Sequence, residues 1–180
     1  MSSIVTRHGD GGETSLLYGG RVPKDDVHTE AYGALDEAIS AVGLARALCS
    51  DAARAERYLE LQRQLFTAGA ELGTAAEDRD KLTRHFAVVD AAMVEALDAQ
   101  VAALEAAVPL PKGFVIPGGS PVGAALDLAR TFVRRAERRA VSLRRAGGLA
   151  NPEVLRYLNR CSDLLFMLAR EAEGDQVTAK

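Results

Sequence analysis

Apolar residues recur at helical spacing through most of the chain. Val27, Ala31, Leu35, Ala38, Val42 and Ala45 predict a first helix over about 25–49. Leu59, Leu65, Phe66, Ala70 and Leu72, with Gln62 as a polar neighbour, predict a second over about 52–74. Met93, Val94, Leu97, Val101 and Leu104 predict a third over about 90–107. Ser120-Pro121 reads as a cap followed by proline at the first helical position. It opens a fourth helix that Gly147-Gly148 stops near 146. Asn151-Pro152-Glu153 opens a fifth in the same way, ending near 173.

The stretches between have a different pattern. Gly9, Gly11, Gly12, Gly19 and Gly20 keep residues 1–24 from forming a long helix. Residues 75–89 are charged and read as a loop with a frayed end. Prolines and glycines forbid a helix over 108–119, yet Phe114, Val115 and Ile116 there are apolar, which is odd for a solvated loop. The predicted fold is all-α: an antiparallel five-helix bundle with an irregular, Gly-rich N-terminal segment.

Composition sharpens this picture. Hydrophobic residues are 48% of the chain, much of it alanine, while aromatics are 5% and tryptophan is absent. Small apolar side chains favour close-packed helices over sheets. A chain of 180 residues can bury a core without staples, so one domain is expected. Residues 1–24 form its N-terminal segment and 25–175 its bundle. A formal charge of −3 argues against a nucleic-acid partner but leaves room for a local anion site. Cys49 and Cys161 share no metal-ligand spacing and read as free, packed thiols. The N-terminus lacks the apolar core of a signal peptide, and no stretch is long enough to span a bilayer. No membrane partner and a cytoplasmic location are expected.

Three clusters could carry chemistry. In Thr6-Arg7-His8-Gly9-Asp10-Gly11-Gly12-Glu13-Thr14-Ser15, glycines let backbone N–H groups wrap an anion, hydroxyls add donors, and Arg7 and Lys24 add charge. It is not a Walker A loop, and composition alone favours a flexible tail. Arg130, Arg134 and Arg138, with Glu137, share one face of the fourth helix, where guanidinium forks suit a triphosphate. A surface helix with intrahelical pairs to Glu137 fits the same spacing. Arg135 and Arg139 point away from the stripe. Asn159 and Asp163 lie four apart on an otherwise inward stripe and need partners, either a ligand or a polar network in the bundle. Asp36 or Glu37 could pair with one of the arginines.

These blocks together resemble one family. Thr6–Thr14, Arg21-Val22-Pro23-Lys24 and Glu30-Ala31-Tyr32-Gly33-Ala34-Leu35-Asp36-Glu37 resemble the N-terminal signature of PduO-type ATP:cob(I)alamin adenosyltransferases. Phe114–Ser120, Ala129–Arg138 and Tyr157–Phe166 resemble its three later blocks, in the right order along nearly the whole chain. The resemblance implies a five-helix bundle that assembles as a homotrimer, with active sites between subunits. It implies that ATP is held by Thr6, Arg7, His8, Gly9, Thr14 and Lys24 of one subunit and by Arg134, Arg135, Glu137, Arg138 and Asn159 of its neighbour. Arg130 would pair with Asp36 across the interface. Phe114, with Val115 and Ile116, would meet the lower face of the corrin. Arg134, Lys24, Phe114 and Glu137 are then the residues expected to act in catalysis. Magnesium would come with ATP, bridged mainly by its phosphates, with Glu137 close by. Cob(I)alamin or cob(II)alamin would be the corrinoid, with a cobalt reductase and an adenosylcobalamin-dependent mutase as further partners. Cys161 departs from the pattern, where leucine is common, and residues 76–89 match no part of it.

The implied reaction suits these residue types. Co(I) is itself the nucleophile, so no general base is required, and the protein must align it with the 5′ carbon and neutralise the leaving triphosphate. A carrier of adenosylcobalamin would not need Lys24, Arg134, Glu137 and Asn159. A purely structural bundle leaves the Gly-rich segment and the apolar Pro/Gly loop unexplained.

Overall fold

The computed structural model describes residues 4–173, 177 and 178; the expected domain end at 175 lies outside them. A hairpin of β1 (Glu13–Leu16) and β2 (Gly19–Pro23) precedes α1 (Val27–Leu48) and α2 (Ala52–Leu72). A 3-10 turn at Ala76–Asp78 leads into α3 (Arg79–His85), followed by α4 (Ala91–Ala107), α5 (Pro121–Arg145) and α6 (Glu153–Ala172).

The long helices start where capping chemistry places them. Asp26, Asp51, Asp90 and Ser120 each accept a hydrogen bond from a backbone N–H in the first turn of α1, α2, α4 and α5. Asn151 does the same for Glu153 N at 3.1 Å. Gly147 ends α5 at φ 83°, and Gly148 N bonds back to Leu143 O at 3.0 Å.

α5 is the centre of the assembly, packing on α1 and α6, while α2 lies on α1 and α4 on α6. Both helices bury small side chains: Ala31, Ala34, Ala38, Ala41 and Ala45 on α1, and Ala125, Ala129, Ala136 and Ala140 on α5. Small residues let the two backbones come close, which is where the alanine content is spent. The short links at 49–51 and 146–152 force α1 and α2, and α5 and α6, to run antiparallel. Cys161 is fully buried beside α6's leucines, and burial pushes its thiol far above the ordinary range.

Four expectations need correction. The N-terminal segment is not wholly irregular, because β1 and β2 pair antiparallel from Glu13–Pro23 to Leu16–Gly19. Residues 75–89 are not simply loop: α3 forms there, with Leu82 fully buried. The described residues therefore hold six α-helices, five of them long. Val27 and Phe66 do not face the core, being 39% and 61% exposed; on α2 the inward face runs through Tyr58, Leu61, Leu65 and Ala68. No helix among the described residues is long and apolar enough to cross a membrane.

Candidate active site

The Gly-rich segment closes on itself. Asp10 N bonds to Arg7 O and Gly12 N to Gly9 O, each at 3.2 Å, and Lys24 N bonds to Gly12 O at 2.9 Å. The Lys24 ammonium lies over Gly9, 3.0 Å from where a Cβ would stand, so a side chain there would push the lysine end aside. Arg21 staples the turn, donating to His8 O at 3.0 Å and to Glu13 at 3.2 Å. Arg7 holds φ 60°, the left-handed region that an arginine rarely adopts. Arg7, His8, Gly9 and Lys24 are thus brought together, with Thr14 half-buried in β1 and Thr6 exposed just before the turn.

On α5 the arginines divide. Arg135 pairs with Glu37 and lies 4.8 Å from the Phe132 ring centroid; Arg139 pairs with Glu30 at 3.2 Å. Both carboxylates come from α1, so these two arginines fasten α5 to it. Arg130 pairs with Asp127 at 3.3 Å. Among the described residues no carboxylate pairs with Arg134 or Arg138; the only contact between them is Arg138 Nη1 donating to Arg134 O at 3.0 Å. Glu137 makes no intrahelical ion pair either. It accepts from Asn159 Nδ2 at 3.2 Å, tying α5 to α6.

Asn159 and Asp163 are exposed rather than turned inward. Asp163 meets Arg160 at 3.0 Å, and Arg160 also pairs with Asp98 on α4. Beside them opens a cavity of about 470 Å³, lined by Arg130, Arg134, Arg160, Asp163, Phe166 and Met167 among others. Its walls come from α4, α5, α6 and Leu110, with no residue of the 6–24 segment among them. A second, more apolar cavity of about 670 Å³ lies beside Asp36, with Leu17, Tyr32, Phe66 and Phe86 on its walls.

The Pro/Gly loop does not plug the bundle. Phe114 is 88% exposed and Ile116 50%. The loop backbone is nonetheless held: Val115 forms an antiparallel bridge with Thr178, and Ile116 N donates to Val177 O at 2.8 Å. Asp36 is exposed and makes no ion pair among the described residues, so any Arg130–Asp36 pair would not be within one chain.

Among the described residues no group of three or more His, Cys, Asp or Glu side chains is placed to hold a metal ion. A lone carboxylate such as Glu137 fits Mg²⁺ arriving on a triphosphate, since that ion takes one or two carboxylates and keeps several waters. Sequence reasoning missed a buried charge cluster of Asp127, Arg170 and Glu173. Its one signal was an arginine in the inward register of an otherwise apolar helix end.

Comparison with known proteins agrees with this architecture. The family model for cobalamin adenosyltransferase matches residues 4–172. The corrinoid adenosyltransferase of Citrobacter freundii is 40% identical, over 96% of this chain and 96% of its own length. That of Bacillus subtilis is 40% identical, over 93% of this chain and 84% of its own. Among solved structures, a variant PduO-type ATP:corrinoid adenosyltransferase from Lactobacillus reuteri, complexed with cobalamin and ATP, superposes with a TM-score of 0.85. It is 35% identical and covers 94% of this chain and 90% of that one. An ATP complex of another variant gives 0.83 at 33% identity, over 94% and 93% of the two chains. The chain belongs to the cobalamin adenosyltransferase family.

Proposed function

We propose that this protein transfers the 5′-deoxyadenosyl group of ATP to Co(I) of a reduced corrinoid, forming adenosylcobalamin and releasing inorganic triphosphate. Cobalt supplies the electron pair of the new Co–C bond, and the C5′–O bond breaks with its pair leaving on triphosphate. The observation that carries this reading is the sorting of α5's arginines. Arg135 and Arg139 are neutralised by α1, whereas Arg134 and Arg138 have no carboxylate partner among the described residues, Arg134 beside an open cavity. Like charges one turn apart repel unless an anion meets them. A triphosphate is such an anion, and charge growing on it during transfer is what fixed guanidinium donors stabilise.

The Gly9 turn, Lys24, Arg7, His8, Thr6 and Thr14 form the other half of the ATP site, supplied by a neighbouring copy. Arg134, Arg138, Glu137 and Asn159 form this copy's half; Arg135, engaged with Glu37, is left out of the set. Mg²⁺ would travel with ATP near Glu137 and screen the triphosphate charge. Phe114, with Val115 and Ile116, would present an apolar surface to the lower face of the corrin. A ring 88% exposed at a loop tip supports this, because an apolar surface left open to water is available to a partner. Excluding a lower axial ligand favours a four-coordinate cobalt that is easier to reduce. We place the reaction in the cytoplasm, where a reductase and a mutase would supply and receive the corrinoid; two free cysteines fit a reducing compartment.

The test is an anaerobic assay with MgATP and cob(I)alamin. The Co(I) spectrum should disappear only with ATP present, with one triphosphate released per corrinoid adenosylated. ATP hydrolysis without cobalt alkylation, or no reaction, would refute the proposal.

A further inference from the structure

The end of α6 carries a buried cluster that the roles above do not use. Arg170 is 1% exposed, and its Nη2 meets Asp127 Oδ2 on α5 and, at 3.1 Å, Glu173 Oε2. Phe166 stacks on the guanidinium, 5.0 Å from ring centroid to Cζ. The second oxygen of Glu173 accepts the N–H of Gly119 at 3.1 Å, at the base of the loop that bears Phe114. Next to it, Ser120 Oγ donates to Ala172 O at 3.0 Å. The backbones of Gly119 and Gly123 make room for this carboxylate: a Cβ on Gly123 would fall 2.5 Å from Glu173 Cγ. Asp127 in turn holds Arg130 Nε at 3.3 Å, on the arginine stripe.

Stability does not account for such an arrangement. Buried ion clusters are often replaceable by apolar side chains without loss, because desolvation consumes the attraction. Here the cost is larger still, since Arg170 Nε and Nη1 are buried without a hydrogen-bond partner among the described residues. What the cluster does supply is a fixed geometry between two places: the root of the Phe114 loop and the start of the arginine stripe.

We infer that Glu173, fixed by Arg170, is a positioning residue that sets the Phe114 loop against the corrinoid, in register with Arg130 through Asp127. The inference rests on the corrin-facing reading of Phe114. It concerns the corrinoid side of the site, not the triphosphate side.

The test compares Glu173→Ala, which removes the acceptor for Gly119 N–H, with Glu173→Gln, which keeps an oxygen there. Amide hydrogen exchange reads the loop without any substrate. Glu173→Ala should speed exchange at Gly119 and Ile116 by at least about tenfold, and Glu173→Gln should restore most of the protection. In kinetics, Glu173→Ala should lower kcat/KM for the corrinoid by about tenfold or more while KM for ATP stays within about twofold. With cob(II)alamin and MgATP, it should also reduce the four-coordinate Co(II) signal seen by electron paramagnetic resonance. Unchanged exchange and corrinoid kinetics in Glu173→Ala would overturn the inference. So would an equal fall for ATP and corrinoid together with a lost cooperative melt, which marks a general structural role. Phe114→Ala runs alongside to separate the two claims. If it shifts the Co(II) signal and Glu173→Ala does not, the positioning role alone fails. If Phe114→Ala shifts nothing, the reading of Phe114 fails, and the clamp is decided by the exchange data.

Discussion

A single helix turn on α5 places arginines with opposite duties side by side, and the duty is set by what each one faces. Arg139 looks across to Glu30 on α1; Arg134 looks into open space beside the cavity. Losing Arg139 removes a half-exposed ion pair, worth at most about 1 kcal/mol. In the proposed site, losing Arg134 would remove a donor whose value grows as the triphosphate leaves. Arg134→Ala should therefore lower kcat by about 10²-fold or more, while Arg139→Ala stays within a few-fold of the parent. Steady-state rates with saturating cob(I)alamin check this, and equal rates in the two variants would contradict the assignment. The stripe was legible from spacing alone, since four-residue steps put Arg130, Arg134 and Arg138 on one face. The pairing of Arg135 with Glu37 was open, because spacing does not say which helix lies opposite. Arg170 stood out only by its inward register, and nothing in Leu168-Ala169-Arg170 says that Asp127, on another helix, waits beneath it.

At the scale of elements, apolar periodicity, with the signals at Ser120 and Asn151, made the five long helices readable to within about two residues, while residues 75–89 were misjudged. Leu82 is the one apolar residue within Arg79–His85, so no periodicity marks α3. The segment folds because Glu71, at the end of α2, is buried and gathers it in. Its carboxylate accepts Val89 N at 2.7 Å and Asn151 Nδ2 at 2.9 Å, with Arg79 Nε at 3.9 Å. These partners are remote in sequence, so the signal is tertiary. Glu71→Ala should strand the buried Val89 N–H and the Asn151 amide and cost about 2–3 kcal/mol, read from urea unfolding. The carboxyl also has a pH signature. Burial raises its pKa above the ordinary 4.5, although the bonds from Asn151 and Val89 and the charge of Arg79 lower it in part. The folded state then binds this proton more tightly than the unfolded chain does. Stability from this group is present at low pH and falls as pH rises from 4.5 through the raised folded value. Relative to Glu71→Gln, which cannot ionise, the parent should therefore lose stability across that window. A relative gain with rising pH would show the carboxylate to be favoured by its surroundings.

At the scale of the whole molecule, the two halves of the proposed site do not share a cavity wall. The cavity beside Arg134 is walled by α4, α5, α6 and Leu110, while Lys24 and the Gly9 turn belong to the segment ahead of α1. A second copy would complete the site as proposed, and the surface of α1 offers a face for it. Asp36 is exposed, without an ion pair among the described residues, and a shallow concavity there takes in Leu44, Leu128 and Phe132. Leu44 and Leu128 are 49% and 44% exposed, apolar area that a monomer gains nothing by showing to water. Arg130 spends its Nε on Asp127 and keeps its remaining donors for a further carboxylate, the role the family resemblance gives to Asp36 of the neighbour. None of this was readable from periodicity, because an interface face and a core face carry the same helical spacing. A homotrimer is therefore expected by light scattering at micromolar concentration. Asp36→Arg would set like charges against Arg130 and should shift the population towards monomer, with activity falling in step and recovering as protein concentration rises. Circular dichroism of that variant should stay helical, since Asp36 is exposed and makes no ion pair among the described residues. A parent protein that is monomeric at micromolar concentration and fully active would end the case for a shared site.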